Sequence, residues 1–390
     1  MPNLLVLYSE KSSTNDIFIN DFPPLFRYLG LDVDYCDVLN VTKERIMKAD
    51  SIILIRQMNP QVLDLIKAAQ RAGVFVIAFY DDDLLNLPKC FPHIPWQLSG
   101  MRHILKSVDA VLTFCPGIRD KYYELSSGRC YQMNMPALYE SNRRYSKCTK
   151  NDGISVVYAA SPTHKDDAEK LIIPIIKSLN SFDSKVISFE FVGVKPEINF
   201  DTNICIKYTD SMPLDRYRQY MMEREFDIGL APLEADSFTE CKYFNKFIEY
   251  TIVGTVGVYS NCKPYTYAVN NGFNGFLANN DVKSWVDVIS EIINNPNCIN
   301  SCRENAIKQI KANHSIEAIA YKLKNDIPEL TRSKKNSVNI NLYTYNMKNR
   351  WYRLITTFYM FFFFLKNEGF KWTYKKTIAK INRLFSRRRI

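Results

Sequence analysis

Histidine is nearly absent from this chain, with four among 390 residues, and the ten cysteines stand singly with no Cys-x-x-Cys pair. A zinc framework needs clustered thiolates and imidazoles, and a secreted disulfide scaffold needs dense, paired cysteines. Neither pattern is met, so no structural metal is expected and a reducing cytoplasm is the expected compartment. Cys298 and Cys302 lie four apart on an expected helix, without a histidine or second pair close by to complete a site. The opening MPNLLVLYSEKSS lacks the charged start, long apolar segment and small-residue cleavage site of a signal peptide. It reads as a first β-strand. No run approaches the ~20 apolar residues that a membrane-crossing helix needs.

What is present is the composition of a folded chain, 46% apolar and 24% charged, with length enough for two domains that each have a core. The net charge of +10 is unevenly spread. From Thr331 to the end there are 15 Lys and Arg and one acid, Glu368; the remainder holds 36 basic and 40 acidic residues. The body is mildly acidic, and any positive contact belongs to the tail.

Along the first half, LLVLY, DVDYCDV, SIILIRQ, VFVIAFY and AVLTF read as strands, and NPQVLDLIKAAQRAG reads as a helix stopped at Gly73. A polar stretch, YESNRRYSKCTKNDG, separates these from a second series: ISVVYAA, ISFEFVG, NICIKY, FDIGLAPL, VGVYS and GFLA, with DRYRQYMMERE as one helix between strands. Continuous apolar strands alternating with helices imply parallel sheets covered on both faces. The expected fold is therefore α/β, with two Rossmann-like domains, residues 1–150 and 151–328, facing a cleft where ligands would lie beyond the strands' carboxyl ends. Residues 329–390 form a basic, aromatic tail, expected to be helical. Its run LITTFYMFFFFL suits a helix lying in the headgroup region of an anionic membrane surface, or else phenylalanines packed on the first domain with the charges solvated. Nucleic acid is not expected, since the phenylalanine cluster has no base-stacking fold around it.

Three places carry chemistry. YAASPTHKDDAEKLI ends a strand and begins a helix, so Ser161, Thr163 and His164 stand where a helix N-terminus meets phosphate. Thr163 is equally a candidate N-cap, with Asp166 three residues on, and His164 equally a surface residue. In ECKYFNKFIEYTIVG the spacing predicts one helical face bearing Lys242, Lys246 and Glu249, with Phe247, Ile248, Ile252 and Val253 buried. Two ammonium groups suit a diphosphate and a carboxylate suits a ribose; an ordinary Lys–Glu pair on a solvated face fits the spacing as well. YDDDLL places Asp81, Asp82 and Asp83 just after a strand, and Arg56 ends another, where it would contact an acceptor, as would Asp81 and Asp83, or bridge these aspartates. Adjacent carboxylates repel, so a raised pKa or a cationic partner is expected. One of them, Asp82 ahead of the others, would orient or deprotonate an acceptor hydroxyl, while Asp83 is also a candidate cap of the turn that follows. His93 and His103 are as readily structural.

The segment from APLEADSFTECKYFNKFIEY to NNGFNGFLANNDVKSWVDVI resembles the donor-domain signature of GT-B glycosyltransferases of the group-1, or family 4, type, in their surface-polysaccharide branch. That pattern is approximately F-x-x-x-K-S-x-x-K-x-x-E-Y-x-x-x-G, then a strand, S, P-Y and N-G. Lys242, Lys246, Glu249, Tyr250, Gly254, Ser260, Pro264, Tyr265, Asn274 and Gly275 match in order, and the likeness covers roughly residues 45–325. The resemblance implies an acceptor domain followed by a nucleotide-sugar donor domain, and sugar transfer from a nucleotide diphosphate to a glycan or lipid-linked glycan acceptor without a metal or other cofactor. Joined with the basic, aromatic tail, which motivates the lipid-linked acceptor and the membrane contact, it points to a cytoplasmic enzyme of capsule or O-antigen synthesis, peripheral on the inner face of the membrane. It puts Glu249 at the ribose, Lys246 and Lys242 at the pyrophosphate, the Ser161–His164 loop at the phosphates and Tyr265 at the donor. The family commonly has a second glutamate eight residues before the first; here Cys241 stands there with Glu240 beside it, so Glu240 or backbone groups of 236–239 would contact the sugar. A sugar-nucleotide epimerase, or a degenerate subunit supporting a partner enzyme, would share this fold.

Overall fold

The computed structural model describes residues 1–9, 13–87, 95–137, 153–180, 187–334 and 338–368. They gather into two compact units, one of Met1–Thr113, Ile118–Gln132 and the chain from Leu323 onward, the other of Phe114–Gly117 and Met133–Lys322. The expected third segment, 329–390, is not a body of its own as far as it is described: its residues up to Glu368 belong with the first unit. The linker expected at 139–153 falls almost wholly on residues outside those described, as do 369–390 and His93.

The first unit holds β1 (Asn3–Tyr8), β2 (Asp32–Asp37), β3 (Ser51–Ile55), β4 (Phe75–Tyr80), β5 (Ala110–Thr113) and β6 (Cys130–Gln132). They form one parallel sheet in the order β2-β1-β3-β4-β5-β6. Leu4–Leu7, Ile52–Ile55 and Val76–Tyr80 are buried without interruption, because helices cover both faces, and only the end residues Asn3, Tyr8 and Phe75 of these strands are partly exposed. The three-residue edge strand β6 has no apolar run, which is why the sequence does not announce it. Beyond β3 the helix Val62–Arg71 buries Val62, Leu65, Ile66 and Ala69, and Gly73 follows at φ +76 as the predicted stop.

The second unit holds β7 (Ile154–Ala159), β8 (Ile187–Val192), β9 (Cys205–Thr209), β10 (Ile228–Ala231), β11 (Val256–Ser260) and β12 (Phe276–Ala278), parallel in the order β12-β11-β10-β7-β8-β9. Counted within the unit and read from β9, this is 3-2-1-4-5-6, the order of dinucleotide-binding sheets. The order reverses between β7 and β10, and in sheets of this kind ligands bind beyond the carboxyl ends of the strands at such a point. Trp285, on the helix Val282–Asn294, is fully buried in this core with Phe189, Phe191 and Ile289. Gly193, just past β8, has φ +85, and a Cβ there would lie 2.4 Å from the Ala160 carbonyl oxygen. Only glycine lets that strand end approach β7 so closely.

A 26-residue helix, Tyr343–Glu368, closes the described chain and packs on the helix Val62–Arg71. No helix of the described residues is long and apolar enough to cross a membrane.

His314 ends the helix Asn297–His314, is 2% exposed, and donates from Nδ1 to the Met135 carbonyl at 3.0 Å. Burial lowers its pKa from the ordinary 6.5, with the Met135 bond opposing. A lowered imidazole pKa means the unfolded chain binds the proton more readily, so this contribution is intact above pH 6.5 and is lost as pH falls through the folded value. Between about pH 7 and about pH 5 the wild-type melting temperature should therefore fall more steeply than that of His314→Gln, as read by thermal unfolding.

Candidate active site

Lys246 and Glu249 lie on the helix Asn245–Val253, which follows β10 in the chain and ends at Gly254 in the left-handed region, φ +83. Phe247, Ile248, Tyr250, Thr251 and Val253 are buried, with Ile252 partly exposed, so the predicted apolar face is present. Lys242 is not on that helix. It sits in extended backbone after the short turn Thr239–Cys241, and its Nζ lies over the Phe238 ring at 5.6 Å. The buried rings of Tyr243 and Phe244 interrupt the helix here, so three residues expected on one face become two.

Lys246 Nζ donates to Glu249 Oε2 at 2.7 Å and to the Tyr217 hydroxyl at 3.0 Å, and that hydroxyl donates to Glu249 Oε2 at 3.2 Å. The ammonium lies 5.0 Å from the Tyr217 ring centre and 5.6 Å from that of Tyr250. Burial works against its charge, but Glu249 and the hydroxyls of Tyr250 and Tyr265 outweigh that and raise its pKa above the ordinary lysine value. The solvated-face reading fails on this point. The pair is half-buried among tyrosines, where an ion pair is screened less than on an open surface. Tyr265 is buried, its ring 4.8 Å from that of Tyr259.

The loop after β7 is exposed from Ser161 to His164. Ser161 Oγ and Thr163 Oγ1 are 2.6 Å apart, and His164 Nδ1 is 2.8 Å from Asp167 Oδ2. Neither Ser161 nor His164 caps a helix through its side chain, and the hydroxyl of Thr163 pairs with Ser161 instead. Tyr158, near the end of β7, has its pKa raised by burial and by Asp167 and opposed by Lys246, so it feels both clusters. The Ser161–His164 loop follows β7 and the helix of Lys246 and Glu249 comes after β10, the two strands that flank the switch point.

Between β10 and that helix, Asp236 Oδ1 accepts from the backbone N–H of Phe238 and Thr239, each at 2.7 Å. These two bonds hold its pKa below the usual carboxylate value against a smaller effect of burial. The amides of residues 238–242 are all engaged within the turn, which leaves these donors occupied where a sugar was expected to find them. Cys241 is buried and Glu240 is exposed. At the neighbouring strand end Ser260 is fully buried, donates to the Asn280 side-chain oxygen, and accepts from Leu233 N at 2.8 Å. Asn274, 2% exposed, accepts from Asn270 N at 2.7 Å and donates to the Ala268 carbonyl at 2.9 Å, so it shapes its own loop.

In the first unit, Arg56 follows β3 with φ +51, a conformation uncommon for a side-chain-bearing residue. Its Nη1 reaches Asp81 Oδ1 at 3.1 Å, Asp82 Oδ2 at 3.0 Å and Thr14 Oγ1 at 3.1 Å. Thr14 donates to Asp81 Oδ2 at 2.5 Å. Burial raises the Asp81 pKa, Arg56 opposes, and Asp82 adds to the rise. Arg56 is thus the expected cationic partner, and Thr14 is a member that the sequence did not disclose. Asp83 is different: it is fully buried and accepts from Lys121 Nζ at 3.1 Å, Tyr122 OH at 2.9 Å and Asn86 Nδ2 at 2.8 Å. A carboxylate so enclosed fastens the strand end and presents nothing to a solute. His103 is exposed, with Nδ1 2.7 Å from the Ser99 carbonyl. Among the described residues no three His, Cys, Asp or Glu side chains group as metal ligands would.

No protein-family model matches the chain, and comparison with curated protein sequences finds no match either. Solved structures do match in fold. Anabaena HepE in complex with UDP superposes with a TM-score of 0.59 at 13% identity, over 85% of this chain and 100% of its own. Sucrose-phosphate synthase from Thermosynechococcus elongatus gives 0.57 at 11%, covering 85% and 99%. A glycosyltransferase from Rickettsia africae gives the same four values. The fold is therefore that of the GT-B class, two Rossmann-like units in one chain.

Asp236→Ala should cost the second unit roughly 1 kcal/mol, because two turn amides lose their acceptor. Denaturant unfolding followed by far-ultraviolet circular dichroism and by the summed fluorescence of the four tryptophans checks this.

Proposed function

We propose that the chain is a glycosyltransferase of surface-polysaccharide synthesis that moves a sugar from a nucleotide-diphosphate donor to a lipid-linked glycan, working without a metal at the cytoplasmic face of a membrane. The observation that carries this reading is the half-buried Lys246–Glu249 pair beside the switch point of a dinucleotide-type sheet. A solved structure of the same fold, HepE, was determined with UDP, with UDP-glucose, and with UDP and glucose.

In this reading Glu249 accepts hydrogen bonds from the ribose hydroxyls, in place of the Tyr217 bond it now holds. Lys246 employs two of its three donors on Glu249 and Tyr217, and turns the third to the diphosphate. Charge building on the departing diphosphate is then met by a cation already in position, which lowers the barrier without reorganisation. Lys242, the Ser161–His164 loop and Tyr265 complete the donor side, and Glu240 meets the sugar. On the acceptor side Asp82 takes the hydroxyl proton, positioned by Arg56 and Asp81.

A thermal-shift series against nucleoside diphosphates and their sugars tests the donor side. At a hundredfold excess over its dissociation constant the matching ligand adds ~2.7 kcal/mol, and Lys246→Ala and Glu249→Ala should each abolish the shift. A shift retained in both variants overturns the assignment. An epimerase would consume the donor without releasing free nucleoside diphosphate, and a non-catalytic subunit would leave pathway output intact in Glu249→Ala. Asp82→Asn should lower kcat by ~10²–10⁴-fold while the donor's thermal shift is unchanged, because only proton transfer is lost.

A further inference from the structure

The helix Tyr343–Glu368 has two working faces. One fastens it to the first unit: Tyr345 is 1% exposed and donates to the Val38 carbonyl at 2.6 Å, Lys348 pairs with Asp64 at 2.7 Å, and Asn349 is buried. Further along, the rings of Tyr352 and Tyr359 meet Trp96 edge-on, at 6.4 and 5.4 Å. Residues 345, 349, 352 and 359 fall on one helical stripe. Met347, Trp351, Leu354, Phe358 and Phe362 repeat at spacings of four, three, four and four on the other side, and all are exposed, Trp351, Phe358 and Phe362 by 62–64%. A continuous row of large apolar side chains facing water over the length of a helix marks an interaction surface.

We infer that this outward stripe is the face by which the first unit lies on an anionic lipid surface. The inference rests on the membrane-facing part of the proposed function and names the surface that serves it. Charge selects the occupant. Residues 369–390, which follow the helix, contain eight Lys and Arg and no acid. Two copies of this chain joined along the stripe would bring these like charges together, whereas anionic headgroups neutralise them. Aromatic rings with flanking cations also suit the boundary between headgroups and acyl chains. Because the opposite face is held by buried hydrogen bonds and rings, the helix enters only as deep as the stripe and stays attached to the first unit.

This anatomy also determines how the idea is tested. Cutting the chain near residue 330 would uncover the helix Val62–Arg71 and disturb the first unit, so substitutions on the stripe of the full chain are the sound comparison. Flotation with vesicles of phosphatidylcholine containing phosphatidylglycerol should carry the wild type upward. The triple variants Trp351→Gln/Phe358→Gln/Phe362→Gln and Trp351→Glu/Phe358→Glu/Phe362→Glu should bind at least tenfold more weakly. Vesicles of phosphatidylcholine alone should hold the wild type poorly. Unchanged flotation of both variants overturns the inference, and so does a wild-type dimer that the variants dissolve while flotation persists. The nucleotide thermal shift, measured on the same proteins, should be unaltered. Its absence from the wild type would count against the transferase reading and leave the flotation result to decide the surface.

Discussion

The geometry of the candidate donor site depends on a lysine and a glutamate that are held together away from bulk water. Lys246 and Glu249 are one helical turn apart, and that closeness alone would be worth only a few tenths of a kcal/mol on an open surface. Tyr217, Tyr250 and Tyr265 change its character by lowering the local dielectric and offering ring faces and hydroxyls to the ammonium. The cost of such burial is met by a partner at 2.7 Å and a shared hydroxyl. An arrangement of this kind keeps a cation charged, oriented and only partly satisfied, which is the condition for stabilising a departing anion.

Sheet order places this pair. Reversal of strand order between β7 and β10 leaves no crossover above their carboxyl ends, and the loop of Ser161–His164 comes from one of these strands while the Lys246 helix follows the other. The first unit repeats the principle with its reversal between β1 and β3, and Arg56 stands at the end of β3. There the guanidinium gathers two carboxylates and a hydroxyl on a backbone conformation that costs energy to hold.

Much of this was legible in the sequence because buried parallel strands declare themselves as unbroken apolar runs. Eleven of the twelve strands among the described residues were readable, most of them as such runs, with the edge strands β2 and β9 showing only interrupted ones; β6 escaped because three residues at an edge need no such run. The Lys246–Glu249 face was readable from spacing, since neighbours on a helix are neighbours in sequence. Lys242 was misread for the same reason: spacing assumes a continuous helix, and burial of Tyr243 and Phe244 breaks it. Tyr217, Tyr158 and Thr14 carried no signal, because what brings them to the site is sheet topology over tens of residues. The return of the chain to its first unit was hidden likewise, since nothing local tells it to rejoin from Leu323 the body it began with.

That return bears on how the protein is made. The Val38 carbonyl and the Asp64 carboxylate find their partners in Tyr345 and Lys348, more than 280 residues later. At a translation rate of ~5–20 residues per second, those partners arrive roughly a quarter of a minute to a minute after the groups that await them. During that interval the nascent first half has its sheet but not its outer cover, and the groove later filled by the closing helix lies open to whatever chaperone attends the ribosome. The first body is thus completed only after the second has been synthesised, although its strands emerge before it.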